Sequence, residues 1–491
     1  MRSVQCFALA LASLLAPAVQ AEATPGTTDL SARLPATLKL NYEQLKLPAN
    51  EKMGVLGTSY LLELAPGLQL GPAVYGSITG QRGGFYTIGA EAAWRQPLVA
   101  GLEMDTGLYV GGGGGGPAMV GGGLMVRPHL DLVWDFSGIR AGISASSVRF
   151  PSGTIRSNQF GVVLSADTDF VYTPVDHAGE TTSIDHREGI GFDRAIATVG
   201  AYRPSRGAVS NTIGYAGARF EHFFDRNLYW GIEAAGAASG NASGYAEFLG
   251  SLGAETALGD GPVSVGARLA AGMGGGSSGL IQVGGGQLDK AAGYVTARLG
   301  RDVSLLLEGG YAVSPGGQFR AKYGTAGLVF DLDHPYGGTG SATVDLNEWV
   351  LGSEHYFNVR HQNGTADTLN AITLKHNYYL DRHFYLTGQA HSAYGGNSGG
   401  YSVGLFGLGY RSPRTASGLY AGADLLVGAA GGGFVDTRGG AVTQPMAYVG
   451  LELNRVVSLK LSAGHIKSFK GALSSNVLDA AIDIAFGNAG R

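Results

Sequence analysis

LMVRPHLDLVWDF, Leu124 to Phe136, is the stretch that decides how this chain folds. Val126, Pro128, Leu130, Leu132, Trp134 and Phe136 share one parity, and Arg127, His129, Asp131 and Asp135 share the other. Successive side chains of a strand point to opposite faces, so the segment predicts a β-strand with one apolar and one charged face. Gln159 to Phe170 repeats the pattern, with Phe160, Val162, Leu164, Ala166 and Phe170 against Gln159, Ser165, Asp167 and Asp169. Near the end of the chain Leu478, Ala480, Ile482, Ile484 and Phe486 alternate with Asp479 and Asp483. Such strands suit a half-buried soluble sheet or a barrel wall between lipid and water.

Composition favours the barrel wall. Charged residues make up only 15% of the chain, against about 25% in soluble proteins. Glycine supplies 83 of 491 residues without a Gly-X-Y period, so collagen is excluded. No apolar run approaches the ~18 residues of a membrane helix, and lipid cannot satisfy an open sheet edge. A closed transmembrane antiparallel barrel remains. The net charge of −4 offers no footprint for nucleic acid. Residues 1–21 read as a signal peptide, with Arg2, an apolar run from Phe7 to Ala18, and Val19-Gln20-Ala21 before the cleavage point. Cys6, the single cysteine, lies within it, so the mature chain is expected to carry no thiol chemistry and no lipid anchor.

Three segments align, 38–172, 196–332 and 349–486, separated by linkers 173–195 and 333–348, with a periplasmic segment 22–37 before them and a tail 487–491 after them. Each carries a small-residue turn, GQRGGFY from Gly80, GNASGYA from Gly240 and GNSGGYS from Gly396, followed by a glycine run near Gly111, Gly272 and Gly428. In the first unit eight strands centre near Leu40, Ser59, Pro72, Ala90, Asp105, Leu130, Ile143 and Leu164. Three such units predict about 24 strands, within a range of about 18 to 26. Short turns such as Pro66-Gly67 fall on one side and longer loops such as Gln44 to Met53 on the other, as expected for periplasmic turns and outer loops. The short linker His334 to Ser341, and the lack of a separate closing signal in each unit, favour one wide barrel. Its first strand, near Leu40, would pair with its last, Val477 to Phe486.

Across the mature chain the sequence resembles Gram-negative outer-membrane β-barrel proteins of the porin and export-channel type. Leu478 to Phe486 is similar to the C-terminal assembly signal of that class, although Gly487 to Arg491 follow the aromatic residue. The resemblance implies an outer-membrane location and insertion by the barrel-assembly machinery.

The charged parity supplies pore-lining candidates: Glu91, Arg95, Glu103, Asp105, Arg127, His129, Asp131, Asp135, Asp167, Asp169, Glu233, Asp479 and Asp483. Basic residues recur near one loop in each unit, Arg149 and Arg156, Arg320 and Lys322, Lys467 and Lys470. They read as solvated loop charge, or as an outer rim for lipopolysaccharide phosphates or anionic solutes. Asp176, Glu180, Asp185 and Glu188 in the first linker would offer an acidic docking surface to a periplasmic partner.

His383 and His391 should face the lumen about 27 Å apart, too far to share a metal, and no cofactor is expected. His391-Ser392 resembles the pairing of outer-membrane lipid A deacylases. Adjacent strand residues diverge, however, so no catalytic residue is assigned. The expected function is an outer-membrane channel, a passive porin or a conduit exporting a polymer, fibre or solute. The alternatives are a structural or adhesive surface protein with a blocked lumen and, last, a lipid A-type hydrolase.

Overall fold

The computed structural model describes residues 29–184, 187–259, 261–276, 280–300, 303–332 and 340–490; the signal peptide, Cys6, Asp185 and residues 333–339 lie outside them. Its strands follow the alternation read above. The first unit gives β1 (Ala32–Lys46), β2 (Lys52–Ala65), β3 (Leu68–Thr79), β4 (Tyr86–Val99), β5 (Leu102–Gly114), β6 (Met125–Asp135), β7 (Ile139–Arg149) and β8 (Arg156–Tyr172), each containing one expected centre. A short linker strand, β9 (Thr181–Ile184), follows. The second unit gives β10 (Arg194–Arg206), β11 (Ile213–Phe223), β12 (Leu228–Ser239), β13 (Ala246–Ala257), β14 (Val263–Gly275), β15 (Gln287–Arg298), β16 (Val303–Val313) and β17 (Arg320–Asp331). The third gives β18 (Gly340–Arg360), β19 (Ala366–Tyr379), β20 (Phe384–Gly396), β21 (Ser402–Arg411), β22 (Leu419–Gly431), β23 (Ala441–Glu452), β24 (Val457–Ser468) and β25 (Ser474–Gly490).

The closure differs from the expectation. β1 pairs with β8, placing Leu40 opposite Leu164, and not with β25. β10 pairs with β17 and β18 with β25, so the 24 wall strands form three closed antiparallel barrels of eight rather than one wide barrel. Alternation fixes which face is wet but not which distant strand supplies the last hydrogen bonds. The linkers are also shorter than the apolar pattern suggested. Residues 32–37 belong to β1, where Ala32 pairs with Tyr172; residues 340–348 belong to β18; and 487–490 continue β25 past Phe486.

Large apolar side chains cover the outward faces: Phe160 is 80% exposed, Leu269 66% and Leu425 64%. With every wall strand paired on both sides, this lipid-facing surface makes the chain an integral outer-membrane β-barrel protein.

The barrels abut one another through β3 with β14 and β15, β4 and β5 with β19 and β20, and β11 and β12 with β22 and β23. Between them Tyr86, Ile88, Phe248 and Met273 pack with Leu374 and Ala390 into an apolar centre contributed by all three. At the loop end the glycine runs meet the small-residue turns of the neighbouring barrel. A Cβ on Gly84 would lie 2.0 Å from the Gly276 nitrogen, one on Gly431 2.1 Å from the Gly244 nitrogen, and one on Gly400 2.7 Å from the Gly115 nitrogen. These runs are therefore the seams where barrel backbones touch.

The first linker packs against the third unit. β9 adds to β18, Asp176 pairs with Arg455 at 2.5 Å, Glu180 lies 2.9 Å from His177, and Glu188 accepts from the Ala489 N–H. Asp176 and Glu180 stay exposed, each beside one basic side chain, and Glu188 is buried.

Candidate functional site

An eight-stranded barrel is just wide enough for its own side chains to fill it. In the first barrel Lys39 lies 3.0 Å from Glu91 and 2.5 Å from Asp131, and the two ring nitrogens of His129 lie 3.1 and 3.2 Å from the same carboxylates. Ser59 and Tyr75 donate to Glu91 at 2.8 and 2.9 Å. Nearer the loops Arg127 donates to both oxygens of Glu43, at 2.9 and 3.2 Å, and to the Tyr75 hydroxyl. Above them, inward-facing Tyr109, Met125, Val148 and Phe150 close the barrel with an apolar plug. At the turn end Arg95 grips Asp105 and Arg140 grips Glu103 and Asp167.

The second barrel places Arg219, Arg268 and Lys290 among Glu233, Glu247 and Glu308. Arg268 reaches Glu308 at 2.7 Å and Glu233 at 3.0 Å, Arg219 reaches Glu308 at 2.8 Å, and Lys290 reaches Glu247 at 2.5 Å. The Lys290 ammonium also sits 5.3–5.5 Å from the ring centres of Tyr202, Tyr215 and Tyr323, a cation–π arrangement. In the third barrel Lys375 meets Asp479 at 2.5 Å, Lys460 meets Asp483 at 2.7 Å, Arg411 meets Glu348 at 2.8 Å, and Gln444 donates to Glu354 at 3.0 and 3.1 Å.

The sequence candidates thus fall in three lumens, and not around one pore. Glu91, Arg127, His129 and Asp131 are buried in the first, with Arg95, Glu103, Asp105 and Asp167 toward its turn end. Asp135 caps the β6–β7 turn, accepting from the Gly138 N–H, and Asp169 pairs at 3.7 Å with Arg33 at the mouth. Glu233 belongs to the second lumen, Asp479 and Asp483 to the third. Sequence reading missed Lys39, Glu43, Arg219, Arg268, Lys290, Lys375 and Lys460. Lys39 and Glu43 share the inward parity of Asn41 in β1, a signal that was present.

His391 is buried in the third lumen against the Tyr356 hydroxyl at 3.0 Å, whereas Ser392 bonds Ser402 at 3.0 Å on the opposite face, so the two do not meet. Among the rim bases Arg149, Arg156, Lys322, Lys467 and Lys470 are exposed. Arg320 is not free: its guanidinium donates to the Ser314, Gly317 and Phe319 carbonyls at 2.7, 3.3 and 2.7 Å.

Within the second barrel a polar space between Tyr215, Arg219, Glu233 and Lys290 measures about 10 Å³, roughly room for one water. Buried charge in this quantity tolerates no loose partner, because removing one leaves the other desolvated.

No family model matches the chain, and no curated protein matches it. Solved structures it is similar to include the outer-membrane protein OpdK of Pseudomonas aeruginosa, at 10% identity and a TM-score of 0.22 over 93% of this chain and 98% of that one. OccAB3 of Acinetobacter baumannii gives 9% identity and 0.23 over 93% and 99%, and OpdQ of P. aeruginosa 8% and 0.22 over 93% and 98%. At such scores the chains do not superimpose as one body, and nothing about activity follows from the likeness.

Proposed function

We propose that this protein is a structural or adhesive outer-membrane surface protein: three filled barrels fused into one body that holds its loops as a single fixed rim. The observation that carries this reading is the buried ion-pair network crossing each lumen, sealed in the first barrel by Tyr109, Met125, Val148 and Phe150. A solute would have to displace several desolvated pairs at once. The glycine seams support the same reading, since barrels joined by backbone contact keep their loops in register.

A solute channel, whether passive or exporting, is the second reading. It is favoured by the polarity of the lumens: a wall of Arg, Lys, Glu and Asp can exchange partners with an entering ion, which an apolar filling cannot. Planar-bilayer recording of the purified, refolded chain separates the two. The first reading expects no steady ohmic step above the lipid baseline, and regular steps that survive repeated insertion overturn it in favour of the channel.

A further inference from the structure

Outward-facing cations stand directly opposite one another at the loop end of two barrels. In the first, Lys46 of β1 is the register partner of Lys52 on β2, and Arg149 of β7 that of Arg156 on β8. The Lys46 N–H donates to the Ser157 hydroxyl at 2.9 Å, which joins both pairs into one arc across β2, β1, β8 and β7. In the second, Arg203 lies opposite Lys322 and Arg206 opposite Arg320, across β10 and β17. Lys46, Lys52, Arg149, Arg156, Arg203, Arg206 and Lys322 are exposed, and none has an ion-pair partner among the described residues. Like charges directly opposite in an antiparallel pair destabilise the sheet. Three of these pairs are relieved by an anion that bridges them; in the fourth the Arg320 guanidinium is held by backbone carbonyls and Arg206 alone is free to meet it.

The surface beneath says what kind of anion. Phe160, four residues along β8 from Arg156 and about 13 Å below it, is 80% exposed, and Val162 and Leu164 continue the apolar wall. Tyr311, the register partner of Lys322, leads down to Leu307 in the second barrel. A charged head therefore meets cations while its hydrocarbon lies along the strands. An arc of four strands is about 14 Å wide at the usual strand spacing, which suits a disaccharide headgroup phosphorylated at both ends better than a single phosphate.

We infer that these two perimeter arcs are binding sites for a bisphosphorylated glycolipid of the outer leaflet, held by Arg and Lys contacts to its phosphates. This rests on the membrane-embedded barrels and not on whether the lumens conduct.

The test uses the full chain in detergent with purified lipopolysaccharide, its enzymatically dephosphorylated form, and phosphatidylglycerol, read as lipids retained per chain by native mass spectrometry. Retention of about two lipopolysaccharides per chain is expected. It should fall to about one in K46Q/K52Q/R149Q/R156Q and be lost when R203Q/R206Q/K322Q is added. R226Q/R382Q, at the opposite end of the barrels, should retain both. Heat-modifiable gel migration checks that each variant is folded, and the separate pairs K46Q/K52Q and R149Q/R156Q replace the quadruple variant if it is not. Unchanged retention in the rim variants, or equal retention of dephosphorylated lipopolysaccharide, overturns the site. Equal retention of phosphatidylglycerol overturns the glycolipid as its ligand.

Discussion

Replacing Arg127 with methionine separates a filled lumen from a water-lined one. Arg127 and Glu43 both have wholly buried side chains, joined by two hydrogen bonds of 2.9 and 3.2 Å. Arg127 also donates to Tyr75 at 3.2 Å and lies 5.1 Å from the centre of its ring. Methionine keeps most of the stem's packing but leaves the Glu43 carboxylate with Ser146 as its remaining partner. An unpaired buried charge costs about 3–5 kcal/mol, whereas breaking a solvated pair costs about 0–1 kcal/mol. At a urea slope of about 2 kcal/mol/M the first figure moves the unfolding midpoint by about 2 M. Fluorescence of Trp94 and Trp134 in a W230F/W349F background reports the first barrel alone. Arg127→Met/Glu43→Gln should recover most of the loss, because the orphaned charge is gone. A single-variant loss under about 1 kcal/mol, or a double variant no more stable than the single, would refute the desolvated network.

Three further outcomes follow from the same structure. Gly84→Ala, whose Cβ would meet backbone of the second barrel, should lower folded yield sharply, while Gly309→Ala, with nothing within 4 Å, should not; SDS resistance before boiling compares them. Asp131→Arg should destabilise the protein more than Leu164→Arg. It sets a second cation beside buried Lys39, at a cost near that of an unpaired buried charge, about 3–5 kcal/mol, whereas an arginine facing lipid costs about 2–4 kcal/mol at most; urea midpoints decide the order. In the loops, the hydrogen bond from Arg82 holds the Glu51 carboxyl below its ordinary value. Its folded value is the depressed one, so the contribution is complete above the unfolded carboxyl range and is lost as pH falls through the folded value. Protection factors of Gly80 to Phe85, with the intrinsic pH dependence of amide exchange divided out, should therefore fall on acidification in wild type but not in Glu51→Gln.

The individual strands were legible because lipid and lumen impose opposite chemistry on alternate residues, as in Arg127, His129 and Asp131 against Leu130 and Trp134. The turn-and-loop asymmetry was legible for the same local reason. Barrel closure was not, since the pairing of Leu40 with Leu164 and not with a residue near Val477 is a long-range choice that leaves no mark on either strand's own pattern. One signal was present and unused. Tyr75 and Tyr109, like Tyr202, Tyr245 and Tyr356, are large aromatics whose side chains are buried and point inward. A wide aqueous pore has no packing use for them; a narrow lumen needs them. The lumenal charges were found mainly in the first unit, where acids and bases alternate densely. Arg268 stands singly among alanines and glycines in β14, Arg219 and Lys290 have few charged neighbours in β11 and β15, and the importance of all three comes from convergence in space. The role of the glycine runs was not legible either, since the backbone that approaches them belongs to a neighbouring barrel.

Disulfide mapping of strand partners tests the three-barrel architecture most directly. Opposed residues of an antiparallel pair have Cα atoms about 4.5–5.5 Å apart, within reach of a disulfide. With Cys6 the sole native cysteine, Cys6→Ala gives a thiol-free background for the engineered pairs. L40C/L164C, V199C/A326C and L351C/I482C, each joining the two strands that close one barrel, should crosslink within the chain in intact outer membranes, and L40C/I482C should not. Crosslinking of L40C/I482C, with L40C/L164C remaining reduced, would mean one wide barrel and would contradict the account.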